Sequence, residues 1–435
     1  MRSSPLLSYR SMKPTTVGSA AVVLLCLLFP MNGRVSAQII AVTAGTLIDP
    51  DTGTERARQT ILIDRGKIVA VGSDVQIPSD AKRIDLSHES VLPGLIDAHT
   101  HLLANVDAKW DLGDFWIMAM QRRPGWRAIE GAKHAKEMLE SGFTTVRDVG
   151  NSGDHLDTDL DKAIRFGLVP GPTMVFSGRI IAPFGGQFWD TPSDPRLLDN
   201  PEYRFADSRD EMQKAVRENI YWGARVIKIV VDGQGYAYSA DDIRFIVAEA
   251  ARAGTKVAAH VQTERGARAA IEASVASIEH GWVLTDEDLA LAKRNNVVLV
   301  STDFTVAELI ANGMEPDAAK RIHEKYVARL KRAWDAGVEV VFGTDVMADV
   351  RGRSRGELAI EYVDSFREAG ISPSNILRSM TTRAAALLDV NKVRGSIRAG
   401  MAADLVATPI NPLRDIDGLK KIDFVMKDGH LYRTP

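Results

Sequence analysis

Cysteine and histidine are scarce in this chain: 435 residues contain one Cys and nine His. One cysteine excludes an intrachain disulfide framework and any zinc site built on thiolates. Excess charge is missing too. Fifty-four basic residues face 57 acidic ones for a net charge of −3, so no basic field is available to hold nucleic acid. Hydrophobic residues at 45% and charged residues at 26% give ordinary globular composition, against disorder, collagen or a coiled coil.

Long apolar runs are absent apart from Ala20–Phe29, which falls short of the roughly 20 residues needed to span a bilayer. Arg2, Arg10 and Lys13 precede it, and the small-residue pattern Val35-Ser36-Ala37 follows. Together these features read as a secretory signal peptide over residues 1–37. Cleavage is expected near Ala37, giving a periplasmic or secreted product without a stable membrane anchor. Met12 is an alternative start. Cys26 lies inside the segment and lacks the small residues that precede a lipidation cysteine, so the mature protein would contain no Cys, as suits an oxidising compartment.

Residues 38–90 read as short strands with turns. The β-rich runs Ile39–Val42, Gln59–Ile63 and Lys67–Val71 are punctuated by Asp51-Thr52-Gly53, Asp64-Arg65-Gly66 and Gly72-Ser73-Asp74. Residues 389–435 repeat the style, which predicts one small β-sandwich built from both ends. Between them, residues 91–388 alternate strand and helix. Strand-like runs stand at Val91–Ala98, Thr144–Val149, Thr173–Ser177, Val226–Val231, Lys256–His260, Ser277–His280, Val297–Ser301 and Glu339–Gly343. Gly142, Gly223, Gly254 and Gly337 end the intervening helices. Eight such units predict an α/β fold of the (β/α)8 barrel type. An open doubly wound sheet would carry a Gly-rich dinucleotide loop after its first strand, and none is present.

Chemistry in such barrels sits at the C-terminal ends of the strands. The first strand ends in Ala98-His99-Thr100-His101, with two imidazoles two residues apart on one side of an extended chain. Lys228 stands inside the apolar strand Val226–Val230, where an ammonium is costly unless paired or chemically altered. His260 and His280 end the fifth and sixth strands, and Asp345 follows the eighth. These six residues at one end of one barrel form the expected site.

With those residues stated, the chain resembles the amidohydrolase superfamily of metal-dependent hydrolases. The resemblance rests on Val91-Leu92-Pro93-Gly94-Leu95-Ile96-Asp97-Ala98-His99-Thr100-His101, Ser277-Ile278-Glu279-His280-Gly281, Gly343-Thr344-Asp345 and the return segment Gly395–Leu405. Within it, the chain looks most like the group of imidazolonepropionases, dipeptide-cleaving carboxypeptidases and ochratoxin-type hydrolases. The resemblance implies a site for two divalent metals, zinc foremost. His99, His101 and Asp345 would hold one, and His260 and His280 the other. Lys228, carbamylated by carbon dioxide, would bridge them. It also implies Asp345 and His280 as catalytic residues, Asp345 moving a proton from water to the leaving nitrogen.

Substrate contacts are expected from Arg179 at the end of the third strand and from Gln187, which stands where relatives often carry a His after Gly-Gly. Tyr236 and Tyr238, after the fourth strand, complete the set. Further candidates are His155, the tryptophans 110, 116 and 126, the aromatics Phe188 and Trp189 of the long Ile180–Ala206 loop, and Arg351, Arg353 and Arg355. The expected reaction is hydrolysis of an amide bond in a small exported substrate, a dipeptide or an N-acyl amino acid. Ester, lactone or carbamate cleavage on the same site is the alternative, and a metal-free scaffold is disfavoured by six intact ligands. A homo-oligomer with a small-molecule substrate and no nucleic-acid partner is expected.

Overall fold

A computed structural model describes residues 38–435 except 108, 112–113, 188–201 and 234–235. Residues 1–37, read above as a signal peptide, and Phe188 and Trp189 of the long loop, lie outside the described residues. No helix among the described residues is long and apolar enough to cross a membrane.

The N-terminal strands are β1 (Ile40–Asp49), β2 (Thr54–Asp64), β3 (Lys67–Gly72) and β4 (Lys82–Pro93). The barrel strands follow as β5 (Leu95–Thr100), β6 (Phe143–Asp148), β7 (Thr173–Phe176), β8 (Ile180–Ala182), β9 (Tyr203–Phe205) and β10 (Val226–Val230). Then come β11 (Lys256–Val261), β12 (Ser277–His280), β13 (Val298–Ser301) and β14 (Val340–Phe342). The C-terminal strands are β15 (Leu405–Thr408), β16 (Phe424–Lys427) and β17 (His430–Arg433).

Both chain ends build one seven-stranded sheet in the order β17-β16-β15-β4-β1-β2-β3. It folds back on itself, because the edge strand β3 meets the segment entering β15: Ile68 N donates to Met401 O at 2.9 Å and Ala403 N to Gly66 O at 2.8 Å. Val42, Ile61, Ile63, Leu86, Leu405 and Phe424 fill the interior of this sandwich. The expected boundary at residue 91 moves: Val91–Pro93 pair with β15 in the sandwich, and the barrel begins after Gly94. A side chain at Gly94 would strike Thr144, its Cβ falling 2.2 Å from Oγ1. The crossing from sandwich to barrel therefore needs a residue without a side chain.

All eight predicted barrel strands form, as β5, β6, β7 and β10–β14. The third is broken. β7 pairs with β6, the chain turns through Gly178 at φ 68°, and β8 then pairs with β10. The remaining seam is closed by Asp345 N donating to His99 O at 2.8 Å. β8 and β9 were not expected; they form short parallel steps at the two ends of the long loop.

Period-two alternation decides what the barrel encloses. On β10, Ile227 and Ile229 pack outward in the main core while Val226 faces inward, so Lys228 stands one layer above Val226 on the inner face. On β11 the inner pair is Ala258 and His260, with Val257, Ala259 and Val261 outward. Helix Thr382–Leu387 closes the far end through Ala384, Ala385 and Leu387. The interior is thus apolar at the bottom and polar at the top.

Gly94→Ala should lower stability by about 1–3 kcal/mol, the usual cost of overpacking. The urea midpoint should fall at unchanged slope, and adding Thr144→Ala should recover part of the loss. An unshifted midpoint for the single variant would contradict the packing described.

Candidate metal centre

His99 Nε2 and His101 Nε2 lie 3.2 Å apart. Asp345 Oδ1 is 3.0 Å from the second and 3.6 Å from the first. The far side of each ring is already committed. His99 Nδ1 donates to Glu279 Oε2 at 2.6 Å, and His101 Nδ1 donates to the Gly150 carbonyl at 2.8 Å. Burial, followed by the Lys228 charge, pushes the His99 pKa well below its usual value. A neutral ring protonated on Nδ1 leaves a lone pair on Nε2. Three electron-pair donors thus converge in a buried space with no hydrogen to share. That arrangement is repulsive alone and favourable around a cation, and the nitrogen–oxygen donor set without sulfur suits zinc or a neighbouring divalent ion.

The other three predicted ligands line the same cavity. It measures about 190 Å³, and His101, Lys228, His260, His280 and Asp345 all contribute to its wall. The His260 and His280 rings lie 4.5 Å apart between centroids, and His260 Nε2 is buried without a partner. Burial drives the His260 pKa down to about 3 and that of His280 well below its usual value, which favours the neutral form of both rings. Lys228 is buried and forms no ion pair among the described residues; desolvation lowers its pKa to about 8. Larger clefts exist elsewhere, such as one of about 350 Å³ lined by Asp49, Arg56 and Arg398, but they gather no such set.

Local backbone geometry places three of the six predicted residues, His99, His280 and Asp345. A register shift between Asp97 and Thr100 breaks the regular alternation of β5 just where His99 stands. On β12, Ile278 packs outward, so regular alternation would turn His280 outward as well. Its φ of 65° turns it into the barrel mouth instead, and Asp345 does the same at φ 62°. Left-handed backbone at a non-glycine residue costs roughly 1–3 kcal/mol and clusters at functional sites.

A buried polar network holds these positions. Glu279 accepts from His99 and from Arg147 Nη2 at 2.8 Å, and Ser277 completes its shell. Asp97 accepts from His99 N at 3.0 Å and Thr344 Oγ1 at 2.7 Å, joining the first strand to the eighth. Its pKa is raised to about 7 by burial. His280 Nδ1 stands 2.7 Å from Thr302 Oγ1.

The substrate candidates fare differently. Gln187 lines the cavity. Tyr238 does not: it is buried and its hydroxyl donates to Ala206 O at 2.6 Å, which consumes it structurally. Tyr236 is 57% exposed and outside the cavity wall. Arg179 is drawn away by the Tyr203 carbonyl, to which Nη2 donates at 2.8 Å. His155 stacks on Trp222 and lies outside the wall. Trp110 and Trp126 are exposed and Trp116 is buried, none of them on the cavity. Arg353 pairs with Glu361, while Arg355 is buried and donates to Val346 O and Asn105 Oδ1. The wall residues that went unforeseen are Asn151, Ile180, Val230, Gln262, Trp282 and Met347.

Residues 90–432 match the model of the Amidohydrolase family. The chain belongs to that family. Among the relatives of this amidohydrolase is the ochratoxinase of Aspergillus niger, 28% identical over 92% of this chain and 88% of its own. A solved Xaa-Pro dipeptidase with methionine in its active site is 29% identical, with TM-score 0.79 over 91% of this chain and all of that one. A prolidase in complex with N-methylphosphonate-L-proline is 29% identical, also at TM-score 0.79, over 92% of this chain and all of that one. The fold is therefore an amidohydrolase barrel with its β-sandwich, and the protein is a hydrolytic enzyme.

Glu279→Gln should weaken metal binding by roughly 10–100-fold, the usual consequence of removing a ligand's orienting partner. Competition with a zinc-chelating dye would measure it. Unaltered affinity would show that Glu279 does not set the His99 tautomer.

Proposed function

We propose that this amidohydrolase cleaves the amide bond of a small substrate, a dipeptide or an N-acyl amino acid, at a two-metal site. The convergence of His99 Nε2, His101 Nε2 and Asp345 Oδ1 without a shared hydrogen carries the reading. His99, His101 and Asp345 would hold one divalent ion, zinc by donor type, and His260 with His280 the other. Lys228 stands on the inner face of β10 in the same cavity. Its neutral amine adds to carbon dioxide, loses a proton and becomes a carbamate, replacing a costly buried cation with an anion able to bridge two ligand sets. Metal ions bound there would supply an activated water and polarise the substrate carbonyl.

The side chains do the rest. Asp345 is buried at the barrel mouth, and with Oδ1 turned to the ion site its second oxygen, Oδ2, serves as the proton carrier. It takes one proton as the water oxygen bonds to the carbonyl carbon. It returns that proton to the nitrogen as the carbon–nitrogen bond breaks, so acid and amine leave in balance. His280, held by Thr302, is fixed with its free nitrogen available to the site. The names of the ochratoxinase, Xaa-Pro dipeptidase and prolidase relatives support amide-bond chemistry of this kind. We also propose export, on the basic and apolar pattern of residues 1–37.

Assay of the zinc-loaded protein against a dipeptide and N-acyl amino-acid library should find turnover, and none at all would refute the reading. Asp345→Asn should lower kcat by at least about 10²-fold; near-normal turnover would overturn its role. Lys228→Ala should lose metal and activity together, with partial recovery in propionate. Full metal content in that variant would contradict the bridge.

A further inference from the structure

Beyond the metal candidates, the carboxamides on the cavity wall are Asn151, Gln187 and Gln262. Asn151 is closed off: its Oδ1 is buried, and its Nδ2 is turned to Met347 Sδ at 3.5 Å. Gln187 and Gln262 differ. Both are only part-buried, and neither side-chain amide hydrogen-bonds to a protein group among the described residues. Two open amides therefore face a space otherwise walled by the ligand candidates and by apolar or aromatic side chains.

One dipeptide aligns both. Asp232, just after β10, accepts from Gln262 N at 2.7 Å and from Thr263 N at 3.0 Å, which fixes the chain two residues beyond His260. Gly233 follows at φ 149°. A Cβ there would fall 2.6 Å from Gln187 Cα, 3.0 Å from its Cβ and 3.1 Å from Gln262 Oε1, so the two glutamines meet against one glycine. Main chain held in this way lowers the ordering cost of hydrogen bonds that the side chains make to a ligand. The surroundings decide which ligand group. A cavity that gathers divalent cations beside Lys228 repels an ammonium and attracts an anion. Arg179, expected to grip a carboxylate, is turned to the Tyr203 carbonyl instead.

We propose that Gln187 and Gln262 together bind the substrate's carboxylate, each through a side-chain N–H, and so select amides that carry an acid group. The inference rests on the amide-hydrolase reading above and adds where the acid group of a dipeptide or an N-acyl amino acid is held. A hydrogen bond to a charged group is stronger than one to a neutral group. Loss of either donor therefore falls chiefly on compounds that have the carboxylate.

The test compares N-benzoyl-L-alanine with N-ethylbenzamide, the same compound without its carboxylate, on the zinc-loaded enzyme. Wild type is set beside Gln187→Leu, Gln262→Leu and Gln187→Glu. Dissociation constants are read for both compounds, and kcat/KM where they are cleaved. Wild type should favour the acid by at least about tenfold, and each leucine variant should cut that preference by at least about fivefold. Gln187→Glu should cut it further than Gln187→Leu, because it sets one carboxylate against another. A purely structural role would weaken both compounds alike and would not separate leucine from glutamate, and that result overturns the proposal. So does a wild type with no preference, or one that binds neither compound. A carboxylate can also meet the metal directly, so a preference that survives unchanged in both leucine variants overturns it as well. Binding with a glutamine-dependent preference but no cleavage would defeat the amide-hydrolase reading and uphold the glutamine pair. Cleavage with the same preference in wild type and leucine variants would do the reverse.

Discussion

Everything at the barrel mouth depends on one buried charge pair, Arg147 with Glu279. Both side chains are almost completely excluded from solvent, and each bridges two strands. Arg147 on β6 donates to Ala98 O on β5 and to Ser277 Oγ on β12, while Glu279 on β12 accepts from His99 on β5. The pair therefore spans the barrel interior between apolar floor and polar mouth. An isolated charge there would be prohibitive; satisfied on all sides, the two charges fix both the barrel's cross-section and the tautomer of its first ligand.

From that constraint the site follows by geometry. With Nδ1 of His99 spent on Glu279 and Nδ1 of His101 on Gly150, the remaining lone pairs can only face each other and Asp345. Burial favours the neutral form of His99, His260 and His280 and lowers the Lys228 pKa, and Lys228 forms no ion pair among the described residues. Each of these facts is unfavourable for an isolated polypeptide. Taken together they describe a cradle for cations, with stability given up locally in exchange for ligand preorganisation.

Much of this was legible in the sequence because it obeys simple periods. Eight apolar runs separated by glycine-ended helices specify the barrel, and the ligands fall at run ends where a barrel puts its chemistry. Lys228 stood out as a charge in an apolar strand. The same test, applied to Arg147 inside Thr144–Val149 and Glu279 inside Ser277–His280, would have found the central pair. The strand at Lys82–Ser90 escaped notice because its exposed face is polar and no continuous apolar run marks it. The breaks in β5 and at Gly178 depend on contacts between distant segments, which no local pattern encodes.

Substrate contacts were the least legible part. Tyr236, Tyr238 and Arg179 are attractive by residue type, yet a hydroxyl or guanidinium reaches a site only if no backbone carbonyl claims it first, and for Tyr238 and Arg179 one does. Asn151 and Trp282, by contrast, have unremarkable sequence contexts and reach the cavity through loop conformation alone. The central claim is that the converging donors form a metal site. Metal analysis of the purified protein after exhaustive dialysis tests it most directly. The account predicts about two divalent ions per chain, with at least one lost in His101→Ala, which removes a converging donor. Absence of bound metal in a folded wild-type protein that still hydrolyses amides in excess chelator would contradict it.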